Sequence, residues 1–258
     1  MFTSHDVPLY MYYIYNRLGG WDDQQGELFN HGDFDWNPDA KELVHDMVRQ
    51  KGWLASFNSH QQCERFVGGP FVLSKFAMLV KEKWSDTSQS WVKKNRFIMD
   101  GKSTGVTSCS HKSYKTVLPR VSEAAFNLLE LSHKARRHRQ HFQVIQLVLD
   151  ATDAFWNVPL SPIERRWFVS KVQDKYLVYL KTAQGSRGAP LSWAVLFGLA
   201  CRLGLSSQVL LIQDAFVLDT LLEAYVDDPH VSLAGTIQEI EINLVVLVLD
   251  SPRNPVEI

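Results

Sequence analysis

The chain has 258 residues, 45% hydrophobic and 12% aromatic, with a net charge of −1. This length and apolar content suit one large or two small folded domains and exclude a disordered chain. Cys63, Cys109 and Cys201 are isolated, with no Cys-x-x-Cys pair, which argues against zinc and a disulfide framework and for a reducing compartment. No continuous apolar run reaches membrane-spanning length, and the start MFTSHDVPLY lacks a signal-peptide pattern. The expectation is an intracellular protein of cytoplasm or nucleus, neither secreted nor membrane-bound. Charge is unevenly spread: residues 1–50 carry 3 basic and 9 acidic side chains, net −6. Residues 51–142 carry 16 and 6, net +10, and residues 143–258 carry 8 and 13, net −5. The basic middle suits a phosphate backbone, and equally a solvated surface.

In chain order, residues 1–40 read as a loosely attached acidic, aromatic extension. Asn37-Pro38 to Arg49 suits an amphipathic helix. Pro70–Val80 and Arg96–Asp100 read as strands, the second opening into the turn-rich GKSTGVTSCS. Residues 121–134 read as a helix running into the basic HKARRHRQH. Gln143–Asp150 reads as a buried strand, apolar on both faces. Ser161-Pro162-Ile163-Glu164 has the pattern of a capping box opening a short helix. Trp167–Val172 and Tyr176–Leu180 suit a hairpin. Two apolar helices are expected next, one from Pro190 to Gly204 and one over 206–222. Thr236 and Glu239 form a second capping box, but the valine-rich run after it promises little helix.

Carboxylates carry the chemistry. Tyr225-Val226-Asp227-Asp228 sits between apolar residues and reads as strand, tight turn, strand, with the acids at the turn. Adjacent like charges are costly unless water or cations neutralise them. Asp150 ends the strand upstream and supplies a third acid. Three carboxylates suit a hard ion such as magnesium, and two ions about 3.5–4 Å apart drive phosphoryl transfer. Gln184-Gly185-Ser186-Arg187-Gly188-Ala189-Pro190 is a small-residue loop before a helix, suited to close backbone approach of a nucleotide or template.

The stretches RFIMD (96–100), LPR (118–120), DATDAFWNVPL (150–160), QGSRGAP (184–190) and YVDDP (225–229) resemble the reverse transcriptases of retroviruses and LTR retrotransposons. They follow that family's order and approximate spacing over residues 70–235, and YVDDP is closest to copia-like elements. The resemblance implies an α+β right-hand polymerase: a fingers-like region over 41–142 and a palm-like region over 143–258. An antiparallel palm sheet backed by helices would carry the acids. Only thirty residues follow Asp228, and SPRNPVEI matches no primer grip or thumb, so the expectation is a retroelement polymerase truncated after the palm, with the thumb absent. Ala183 also stands where the family usually has proline.

By position, the resemblance implies that Asp150, Asp227 and Asp228 are catalytic ligands of two Mg2+ ions, with Mn2+ a possible substitute. Asp153 and Ala154 match the backbone contacts to the triphosphate. Phe155 matches the steric gate that excludes a 2′-hydroxyl and selects deoxynucleotides. Arg96, with Lys94 beside it, matches the cations that clamp the triphosphate, a task suited to the arginine fork. Gln184 and Gly185 match the loop at the incoming nucleotide. Arg187 and Tyr225 fall near template and primer. The implied partners are a primed RNA or DNA template and dNTPs. Residue type alone leaves other readings open. Phe155 suits a core aromatic, Arg96 and Lys94 suit solvated strand charges, and Arg136, Arg137 and Arg139 suit a solvated helix end. At the level of the whole chain the alternatives are an inactive remnant that at most binds nucleic acid, and an RNA-directed RNA polymerase, which Phe155 argues against.

Overall fold

Asn37 opens the first of the described helices, α1 (Pro38–Arg49): its side chain accepts the Asp39 N–H at 2.9 Å, and proline occupies the first turn where no N–H is needed. The computed structural model describes residues 30–32, 34–110, 120–138, 143–149, 151–211, 219–225 and 228–249. The chain is mixed α+β, built from helices and small antiparallel sheets. It divides into two units, one of residues 1–113 and 155–189, the other of residues 114–154 and 190–258.

The first unit holds β1 (Leu54–Phe57), α2 (His60–Val67), β2 (Lys75–Ser85), β3 (Ser90–Asp100), α3 (Val106–Cys109), β5 (Val169–Val172) and β6 (Lys175–Tyr179). β1, β6 and β5 form a sheet in that order, with Leu54 opposite Tyr179 and Val169 opposite Val178. The β5–β6 hairpin lies where the sequence places it. Its core gathers Phe76, Phe97, Met99, Trp156, Leu177 and Tyr179, with Met47 from α1 and Leu54 from β1. Trp156 stacks between Trp53 and Tyr179, with centroid distances of 4.8 and 5.9 Å. Burial of each such side chain contributes about 1.5–3 kcal/mol.

β2 and β3 form a long antiparallel hairpin in register from Lys75 opposite Asp100 to Ser85 opposite Ser90. This corrects the Pro70–Val80 strand and lengthens the second. Residues 72–74 are drawn to other partners: Val72 N–H donates to Arg166, Ser74 N–H donates to Val169, and Leu73 bridges Val169 in parallel. The helix start expected at Ser161 fails as well. Ser161–Glu164 forms turns leading to a three-residue 3-10 segment, Arg165–Trp167, because the chain must enter β5 at Val169.

The second unit holds α4 (Val121–His138), β4 (Gln143–Val148), β7 (Asp219–Tyr225), β8 (Asp228–Gly235), α6 (Ile237–Leu249) and most of α5 (Ala189–Leu211). Its sheet has the order β4-β8-β7. Among the described residues β4 is therefore an edge strand and not the fully buried strand expected: none of its residues is buried, and Val148 is 60% exposed. Ile145 and Leu147 still pack with Val231, Leu233 and Ile240.

The expected break at Gly204 and the helix over 206–222 are also corrected. α5 runs through Gly204 to Leu211, and β7 begins at Asp219. Gly204 is buried and lies within the helix, which it does not end. Residues 189–206 of α5 are long and apolar enough to cross a membrane by length and composition, as are many helices of proteins that cross none. One such helix is weak evidence and is compatible with a chain that has no membrane partner. α6 is longer than its valines promised. Its capping box closes reciprocally, Thr236 N–H reaching Glu239 Oε2 at 2.7 Å and Glu239 N–H reaching Thr236 Oγ1 at 3.4 Å, while Ile240 and Leu244 pack on the sheet.

Candidate functional site

In the second unit, the strands that flank the acidic residues form one antiparallel ladder. Tyr225 at the end of β7 pairs with Asp228 at the start of β8, and Val148 at the end of β4 pairs with His230. Apolar alternation produces this sheet: Val231 and Leu233 of β8 face the same core as Ile145 and Leu147 of β4. Asp150 and Asp227 lie outside the described residues. For Asp228 and Tyr225 the backbone is described, as strand, and the side chains are not. Among the described residues no three His, Cys, Asp or Glu side chains gather as a ligand set. The case for magnesium rests on donor chemistry, three carboxylates in sequence, and on the strand ends that lead to them.

Asp153 has φ +54, a left-handed conformation uncommon for a residue with a side chain. Ala154 is buried, and a short 3-10 segment, Ala154–Asn157, follows. Here the two aromatics of the motif part company. Trp156 is buried, whereas Phe155 is only partly buried, so Trp156 takes the core role that residue type also offered Phe155. Thr182, buried beyond β6, fastens this turn: its hydroxyl donates to the Phe155 carbonyl, and its N–H donates to Val158 at 2.8 Å. No signal in the sequence singles Thr182 out.

In the first unit, Lys94 and Arg96 are exposed and two residues apart on β3, hence on one face of the hairpin. Their cross-strand partners are Lys81 and Leu79. Gln184 and Gly185 sit against the base of the same strand. The Met99 N–H donates to the Gln184 carbonyl at 3.0 Å. Gly185 has φ +97, and a Cβ there would meet the Met99 carbonyl oxygen at 2.2 Å, so only glycine fits. Arg187 donates from Nη1 to the carbonyls of Thr107 at 3.3 Å and Ser110 at 3.1 Å, fastening the loop to α3.

Asp100, the last residue of RFIMD, holds this region together. Its Oδ1 accepts the N–H groups of Lys102 and Ser103 at 3.0 Å each, and its Oδ2 lies 2.7 Å from the His31 ring. Partial burial acts to raise this carboxyl, but the hydrogen bonds from Ser103, His31 and Lys102 outweigh it and hold it at about 2. Burial pushes the Cys63 and Cys201 thiols up to about 12 and about 11, so neither is poised as a nucleophile. No protein-family model matches the chain, and no curated protein matches it either.

Proposed function

We propose that the chain is an RNA-directed DNA polymerase domain of retroelement type, with the fingers and palm of a right-hand polymerase. The reading is carried by the register of β4 with β8. Val148, paired with His230, precedes Asp150 by two residues, and His230 follows Asp228 by two, so one antiparallel ladder leads toward carboxylates far apart in sequence. A hairpin whose second strand opens on Asp228, next in sequence to Asp227, beside a strand that leads toward a third acid suits a two-metal centre. Asp150, Asp227 and Asp228 would hold magnesium, which when bound acidifies a primer hydroxyl and offsets charge on the triphosphate. Arg96 and Lys94 supply fixed positive charge for a triphosphate. Phe155, kept out of the core, bars a 2′-hydroxyl, and the Gln184-Gly185 backbone lines the nucleotide's base.

Primer extension tests this reading. A labelled primer on an RNA template should lengthen with dNTPs and magnesium, and Asp227→Asn should abolish extension while the fold survives. Phe155→Ala should admit ribonucleotides. A well-folded chain that binds the primed template but never extends it would sink the proposal and leave a nucleic-acid binder.

A further inference from the structure

The β2–β3 hairpin changes character along its length. At its base Phe76, Phe97 and Met99 are buried in the core of the first unit. Toward the tip, the face that continues from them carries Val80, Trp84 and Trp91, which are 46, 42 and 67% exposed. Trp84 and Trp91 pair across the strands, edge to face, with ring centroids 5.8 Å apart. Exposed tryptophans need a reason, since burial of each ring would be strongly favourable.

Cations line both faces of this ribbon: Lys93 lies on the tryptophan face opposite Glu82, and Lys81, Lys83 and Lys94 lie on the other face. Lys81, Lys83, Lys93 and Lys94 are all exposed, and Lys81 stands directly opposite Lys94. Like charges opposed across a ladder are destabilising, a cost that a bound polyanion removes. Glu82 and Asp86 are the acids of this half of the hairpin, and no ion pair within it occurs among the described residues. The connection is ordered by its own hydrogen bonds. Ser85 Oγ accepts the Ser88 N–H at 3.3 Å, Gln89 Nε2 donates to the Asp86 carbonyl at 2.9 Å, and the Ser88 and Ser90 hydroxyls are 2.9 Å apart.

We propose that the outer half of this hairpin is a binding element for single-stranded nucleic acid, with bases stacking on Trp84 and Trp91 and phosphates held by Lys81, Lys83 and Lys93. A two-stranded ribbon is one backbone thick, so long lysine stems reach round its edge to a strand whose bases lie on the tryptophan face. Aromatic platforms with adjacent cations are the means by which proteins bind single strands without reading sequence. A bilayer is the poorer match, because the leading turn, Ser85–Ser90, is wholly polar and carries Asp86. This binding needs no nucleotide or magnesium, so its failure is distinct from failure of the polymerase reading.

The test is fluorescence anisotropy of a labelled oligothymidine of about twenty nucleotides with the whole chain, without dNTP or magnesium. Trp84→Ala with Trp91→Ala should weaken binding by roughly tenfold or more, while Trp84→Phe with Trp91→Phe should restore most of it. Lys81→Gln with Lys83→Gln should lower the slope of log affinity against log salt by about 0.7 for each phosphate that is no longer neutralised. Both tryptophans are exposed, so melting temperature should hold in every variant. Binding by the double alanine variant within twofold of the parent chain would overturn the proposal. So would tryptophan-dependent binding to anionic vesicles without binding to the oligonucleotide.

Discussion

Among the described residues, the two units bury their apolar side chains to different depths, and the contrast says where rigidity resides. The first unit encloses a continuous aromatic core in which Phe76, Tyr179, Met47 and Leu54 are fully buried, from residues far apart in sequence. In the second, the buried cluster among the described residues is Val231, Leu233 and Ile240, while α5 leaves Val195, Leu199 and Leu203 exposed and α4 leaves Phe126 and Leu129 exposed. The Gly185 loop is pinned to the better-packed unit. The strands that lead to the acids belong to the unit with the smaller buried cluster among the described residues. Local opening follows packing, so the second unit is expected to exchange its amide hydrogens faster.

Core truncation has the largest expected effect. Phe76→Ala should cost about 3–5 kcal/mol and raise hydrogen exchange across β1, β5 and β6, while Leu233→Ala should cost about 2–5 kcal/mol and loosen β4, β7 and β8. Equal loosening of both units by either change would break the comparison. Gly185→Ala comes next. Its Cβ would collide with the Met99 carbonyl in a backbone region strained for any side chain, which costs about 1–3 kcal/mol or displaces the loop. Chemical shifts at Met99 and Gln184 should move, and primer extension, if the chain performs it, should fall with them. Thr236→Ala should remove about 1 kcal/mol through loss of the α6 cap, read as a lower unfolding midpoint of the second unit.

The smallest effect concerns acid. Asp100 titrates at about 2 in the folded chain, below the roughly 3.9 of an unperturbed aspartate, so its hydrogen bonds add stability above the unfolded value. That contribution should fade as pH falls from about 4 to about 2, and Asp100→Asn should flatten this part of the stability profile. An unchanged profile in the variant would show that His31 and the 101–103 turn hold without the charge.

Short-range signals were legible in the sequence. Asn37-Pro38, the Thr236–Glu239 box, the β5–β6 hairpin and the strands flanking Val226-Asp227 each depend on residues a few positions apart, whose preferences act in any surroundings. The chain order of the motifs likewise marked Gln184-Gly185, and the Met99 carbonyl explains why that second position must be glycine. Long-range contacts decided the rest. The helix continues through Gly204 where local preference would end it, and among the described residues β4 is an edge strand because it pairs with β8 alone. Ser161 has a capping sequence that the path into β5 overrides. The choice of Trp156 over Phe155 for the core follows from the position of Trp53 and Tyr179, remote in the chain. By itself the sequence determined the Asn37 and Thr236 caps, the β5–β6 turn and the order of the candidate residues. Only the tertiary structure decided which apolar residues lie inside, because burial is a property of neighbours brought together by the fold.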